Sequence, residues 1–219
     1  MTDQQTVNKV AEYVKEHQQA AGGHDWWHIY RVWQTARILA RKEKADLTVV
    51  QLAALLHDLA DWKFHSEKEQ VSAAGDVLMK FGVDEKMRLH VLDIIANVSF
   101  KGAKAKNTMQ TVEGMVVQDA DRLDALGAMG VARVFEYGGT KGMAMHDPRR
   151  KIIRNISKEE YVKSAGGSGT SIEHFYQKLL LLKDRMNTKT AKIIAKKRHK
   201  FIEDYLKEFH KEWKMEDVK

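Results

Sequence analysis

Leu52-Ala53-Ala54-Leu55-Leu56-His57-Asp58-Leu59-Ala60-Asp61 is the stretch on which the reading of this chain turns. The apolar run before His57 is dense enough to mark a buried helix. An imidazole and a carboxylate placed there are costly, because buried polar groups without partners cost kilocalories per mole. A divalent cation offsets that cost, since neutral imidazole and carboxylate are both ligands for one.

Working outward, apolar residues recur at helical spacing almost throughout, and strand-like alternation is scarce. The chain therefore reads as all-α. Val7, Val10, Ala11 and Val14 give a first amphipathic helix, broken at Ala20-Ala21-Gly22-Gly23. A second helix runs from about Trp26 to Glu43. Asp46 or Thr48 caps a third, which carries Val49, Leu52, Ala53, Leu56 and His57. A helix near 68–81 stops at Gly82, and another covers about 84–97. A further apolar helix is expected over about 108–133, enclosing Asp119, Asp121 and Asp124. From 137 to 169 glycines and the single proline, Pro148, predict a long Gly-rich loop, either a lid or a disordered segment. Two long helices then span about 171–213, meeting near Asn187-Thr188.

The 219 residues fit one domain: a core over about 20–135, the loop, and the C-terminal helices. A chain of this length buries about 70% of its unfolded surface and needs no covalent staples. It has no cysteine, which excludes disulfides, thiolate zinc sites and cysteine nucleophiles. The polar N-terminus lacks the apolar core of a signal peptide, and no apolar run approaches about 18 residues. A cytoplasmic protein without a membrane partner is expected. The net charge of +7 favours anionic partners in general. The lysines and arginines from Lys183 to Lys200 read first as a solvated helix face.

Open divalent sites commonly combine two or three histidines with carboxylates. His28, His57, Asp58 and Asp121 supply that inventory from three helices. His57 and Asp58, about 100 degrees apart on a helix, converge on one ion if the helix ends or bends there. Mixed nitrogen and oxygen ligands suit manganese, iron, nickel, zinc or cobalt. Alternatively, Asp119, Asp121 and Asp124 pair with Arg122 and Arg133.

These residues also carry a resemblance. His24-Asp25-x-x-His28-x-x-Arg31-Val32, then Ala53-Ala54-Leu55-Leu56-His57-Asp58, then Asp119-Ala120-Asp121-Arg122-Leu123-Asp124-Ala125, and the 170–198 segment resemble the HD-domain superfamily of metal-dependent phosphohydrolases. They look most like a bacterial subgroup of predicted HD hydrolases, over nearly the whole chain. The resemblance implies an all-α HD-domain bundle with His28, His57, Asp58 and Asp121 as metal ligands. It implies a divalent ion, manganese ahead of nickel, iron, cobalt, magnesium or zinc. Asp121 is matched to the final ligand, and Asp119 is left to orient a ligand histidine.

Such an enzyme hydrolyses a phosphate ester with metal-activated water, and positive side chains hold the phosphates. Arg31, Lys63, Lys101 and Arg122 are the candidates for binding substrate, with Lys141 and His146 in the expected lid. Asp61, Arg31 and Lys63 are the candidates for catalysis. His24, Asp25 and His65 also lie near the motifs, although Asp25 equally suits a helix N-cap. By family analogy the partner is a small phosphorylated substrate, a nucleotide, including nucleoside triphosphates, and the bond cut is a monoester, a cyclic diester or the α–β pyrophosphate link. Trp26, Trp27, Tyr30, Trp33 and Trp62 surround the motifs, mostly as core, with base stacking as the other use. A different class of reading makes the basic C-terminal helices a nucleic-acid-binding or regulatory surface. A two-iron oxygenase would want tandem histidines near the dyad, which this chain lacks.

Overall fold

A computed structural model describes residues 2–18, 25–59, 67–100, 103–104, 108–154 and 156–218. Among these residues there are helices and turns and no strand, as the hydrophobic spacing predicts. Contacts divide the chain into two compact units, residues 1–101 with 105–121, and 102–104 with 122–219.

The first unit is built around the dense apolar run. Helix α1 (Asp3–His17) begins with a capping box between Thr2 and Gln5. Helix α2 (Trp26–Glu43) follows, with Asp25 as its N-cap. Helix α3 (Leu47–Leu56) is buried at every position from Val49 to Leu56, and α1, α2 and the later helix over 85–98 pack against it. Asp46 caps α3, its Oδ1 accepting from the amides of Thr48 and Val49 at 2.8 and 3.1 Å. Helix α4 (Glu67–Lys80) packs on α5 (Glu85–Val98). Gly82, at φ +70°, lets the chain leave α4, and the Val83 amide bonds back to the Leu78 carbonyl at 3.0 Å.

Helix α6 (Val112–Asp124) brings the aspartate cluster, and the unit boundary falls within it, after Asp121. Two contacts fix α6 in the first unit. Glu113 accepts from the Asp46 amide at 2.9 Å, at the start of α3. Buried Gln118 donates to the carbonyls of Asn97 and Val98, satisfying acceptors that the end of α5 leaves open.

The expected single helix over 108–133 is in fact two. Leu126 is extended, and Gly127 has φ +72°, a conformation that closes one helix and starts α7 (Gly127–Thr140). Apolar periodicity continues across that break, so spacing alone did not reveal it. The stretch expected as one loop over 137–169 also carries more structure than predicted. It contains the end of α7, the capped helix α8 (Lys158–Lys163) and a π-helical turn at Ser164–Ser168. In the second unit a helical run follows: α9 (Ser171–His174), a π turn (Phe175–Leu179), α10 (Leu180–Leu182) and a 3-10 turn (Lys183–Arg185). Thr188 then caps α11 (Lys189–Trp213), close to the predicted junction. Helix α11 packs against α7 and leaves Lys189, Lys192, Lys196, Lys197 and Lys200 exposed. No helix among the described residues is long and apolar enough to cross a membrane.

Candidate metal centre

Helix α3 stops at Leu56, one residue before the dyad. His57 is its C-cap and Asp58 lies in the turn that follows. The expectation that His57 belongs to the helix is corrected by one residue. His57 itself keeps helical dihedrals, φ −63° and ψ −25°, and the turn begins with it.

His28 is held from the start of α2. Its backbone amide donates to Asp25 Oδ1 at 2.9 Å, so Asp25 serves as a cap. The imidazoles of His28 and His57 lie 5.3 Å apart between centroids, with their planes at 67°. Asp58 Oδ2 is 3.8 Å from His28 Nε2. Asp121 Oδ1 is 3.6 Å from His28 Nε2 and 3.8 Å from His57 Nε2. The histidine side chains are 1% and 5% exposed, whereas Asp58 and Asp121 are 22% and 29% exposed. The cluster is thus floored by buried imidazoles and opens to solvent on its carboxylate side.

The tautomer of His57 follows from its partners. Nδ1 lies 2.9 Å from the Ala54 carbonyl, which can only accept, so Nδ1 carries the proton. In the neutral ring Nε2 then presents a lone pair, and it is buried without a hydrogen bond. Burial opposes the imidazolium, but Asp121, Asp58 and the Ala54 carbonyl outweigh it and raise the His57 pKa above its ordinary value.

These are the marks of a site suited to a cation. One ligand atom from each of His28, His57 and Asp58 lies within 4.8 Å of the others. Metal–ligand bonds of about 2.0–2.2 Å place neighbouring donors roughly 3–4 Å apart, the spacing seen here. The buried Nε2 of His57, orphaned otherwise, gains a partner. Nitrogen and oxygen donors without sulfur suit a borderline or hard divalent ion. Between Asp119 and Asp121, it is Asp121 whose carboxylate stands beside the imidazoles, while Asp119 is fully buried.

The other expected site residues are placed as follows. Arg31 lies one turn after His28 on α2, half-buried. Asp61, Lys63, Lys101, His24, His65 and Trp62 lie outside the described residues. Arg122 opens the second unit and is buried there, its Nη1 donating to the Arg185 carbonyl. Asp124 pairs with Arg133 at 3.1 Å, as one reading of the aspartate cluster anticipated. Lys141 sits over the Tyr137 ring, and His146 packs edge-on against Phe209, His210 and Trp213. Among the aromatics near the motifs, Trp33 donates to buried Gln51 at 3.2 Å. Trp27 and Tyr30 are 60% and 39% exposed, so they are not core.

One contact was missed from sequence. Buried Gln18, just past α1, donates from Nε2 to the main-chain carbonyl of Asp58 at 3.2 Å. Forty residues separate them and no periodicity links them.

Comparison with known proteins agrees with the geometry. Residues 26–126 match the family model described as HD domain. The YpgQ protein of Bacillus subtilis strain 168 is 40% identical over 195 residues, covering 88% of this chain and 85% of YpgQ. A crystal structure of that protein in complex with ADP aligns with a TM-score of 0.72 over 94% of this chain and 97% of its own, at 35% identity. An HD-superfamily hydrolase of Bacillus thuringiensis aligns at 41% identity with a TM-score of 0.73, covering 97% and 99% of the two chains. A Lactobacillus plantarum structure aligns at 32% identity with a TM-score of 0.87, covering 98% and 100%.

Proposed function

From the premise that this chain belongs to the HD-domain superfamily, we propose that it is a metal-dependent phosphohydrolase acting on nucleotides. The observation that carries the proposal is the cluster in the first unit. Two buried imidazoles and two part-exposed carboxylates converge there, with the His57 Nε2 lone pair turned inward. His28, His57, Asp58 and Asp121 would hold the ion, and manganese fits their donor set. When bound, such an ion polarises a phosphoryl oxygen and lowers the pKa of water towards about 7.

The chain's own groups do the rest. The Ala54 carbonyl keeps His57 in the tautomer that offers Nε2. The buried imidazole floor excludes water from one side, so substrate approaches from the carboxylate side. Arg31, one turn from His28, is the cation proposed to bind phosphate oxygens. Lys63 and Lys101 are proposed for the same task, and Asp61 is proposed to hold the proton in transit. Nucleotides are favoured by likeness to YpgQ, whose structure contains ADP. A triphosphate cut to release phosphate or pyrophosphate is the substrate class to try first.

The test is a panel of nucleoside di- and triphosphates with Mn2+, read separately for phosphate and pyrophosphate. Wild type should release one of them, and Asp58→Ala neither. A metal-loaded wild type that releases neither from any nucleotide would refute the proposal.

A further inference from the structure

Asp58 lies in the turn just past α3. Helix α3 ends at Leu56, and in the turn that follows the Leu59 amide donates to the Leu56 carbonyl at 3.3 Å. The Asp58 carbonyl calls for a donor, because backbone acceptors at buried positions are nearly always paired. Gln18 supplies that donor at 3.2 Å. Gln18 is itself anchored, with its backbone amide bonded to the Val14 carbonyl at 2.8 Å as the C-cap of α1. At the other end of α1, Asp3 accepts from Thr48 in the first turn of α3. Helix α1 therefore runs parallel to α3, tied at its start and at its end. The second tie falls on one of the two residues of the dyad.

We infer that Gln18 is a positioning residue: its amide fixes the Asp58 peptide and thereby aims the Asp58 carboxylate at the His28–His57 pair. Rotation about the Asp58 backbone would carry the carboxylate away from a position 3.8 Å from His28 Nε2. Gln18 lies ahead of the 26–126 span that matches the HD family model. Helix α1 is thus a buttress of the metal centre as well as a wall of the core. The inference rests on the metal reading above and adds to it a residue that touches neither metal nor substrate.

The test is Mn2+ affinity, measured by calorimetry on the full chain, for wild type, Gln18→Met, Gln51→Met and Asp58→Ala. Gln18→Met keeps the side-chain length and removes the donor. Gln51→Met removes a different buried glutamine bond in the same unit, that to Trp33, and controls for lost stability alone. Circular dichroism confirms folding at the temperature used. Gln18→Met should weaken Mn2+ binding about tenfold or more, the usual effect of losing a group that orients a ligand. Gln51→Met should stay within about twofold of wild type, because Gln51 bonds Trp33 and none of the four candidate ligands. At saturating Mn2+, hydrolysis by Gln18→Met should lose kcat with KM little changed.

Wild-type affinity in Gln18→Met, beside a wild type that binds Mn2+ and an Asp58→Ala variant that does not, would overturn the role of Gln18 and leave the metal reading standing. Equal weakening by Gln18→Met and Gln51→Met would overturn it as well, reducing Gln18 to general packing. A wild type that binds no Mn2+, or an Asp58→Ala variant that binds as wild type does, would overturn both. If Gln18→Met does not fold, Gln18→Asn carries the test. It keeps the amide one methylene short of the carbonyl, and an unchanged affinity there would refute the inference.

Discussion

Acid should weaken this protein through His174, and one substitution isolates the effect. His174 is half-buried in the second unit and stacks with two phenol rings, Tyr137 at 6.4 Å and Tyr161 at 5.8 Å. Burial, with a smaller push from the Lys178 ammonium, lowers its pKa from 6.5 to about 3. The unfolded chain takes up the proton near pH 6.5, whereas the folded chain refuses it until about pH 3. Between those values the unfolded state binds more protons, so stability is intact above pH 6.5 and is lost as pH falls. The limiting slope is about 1.4 kcal/mol per pH unit. Integrated from pH 7 to pH 4, the loss is about 3 kcal/mol. For a chain of this size that corresponds to roughly 6–12 °C in Tm. Other groups titrate over the same range, so the quantity to read is a difference between two proteins. His174→Phe keeps a flat ring against the tyrosines and has no site for a proton. Urea unfolding of both proteins, with EDTA present, should show wild type losing about 3 kcal/mol more than His174→Phe between pH 7 and pH 4. Parallel losses would refute the argument, because they would mean that His174 titrates alike in the folded and unfolded chains.

Mn2+ at about a hundred times its Kd should stabilise wild type by about 2.7 kcal/mol, a rise in Tm of roughly 5–10 °C, and scanning calorimetry should show no such rise in Asp58→Ala. Because His57 holds its proton more tightly than an ordinary histidine in the metal-free chain, acidification should weaken Mn2+ binding from above pH 6.5 downward, with proton release measurable by calorimetry in buffers of different ionisation enthalpy. Gly127→Ala should cost about 1–3 kcal/mol in denaturant unfolding, since its φ of +72° is strained for alanine and the new Cβ would sit 3.2 Å from the Arg198 side chain. Asp46→Ala, which strips two amide bonds from the start of α3, should cost about 1 kcal/mol by the same assay.

What could be read from sequence, and what could not, follows from the range of the interactions involved. Helix α3 was legible because Leu52 to Leu56 are apolar on every face, and its start was legible because an aspartate cap is a local signal. Gly82 marked the end of α4 for the same reason. Gly127 did not, because Leu123, Leu126 and Val134 keep a helical rhythm on both sides of a break that one positive φ makes. His28, His57, Asp58 and Asp121 could be nominated from residue type and order. Their approach depends on α6 being pinned through Glu113 and Gln118, contacts that span 67 and 20–21 residues. The choice between Asp119 and Asp121 shows the distinction clearly. Two residues apart, they point about 200 degrees apart on a helix, so chemistry alone could not separate them. The register of α6 does, since it buries Asp119 and turns Asp121 towards the imidazoles. Candidate ligands can therefore be named from local information, but their aim is set by contacts distant in sequence. The contact between Gln18 and Asp58 is the instance where that aim should be open to measurement, because a side chain outside the family span can be changed without touching a ligand.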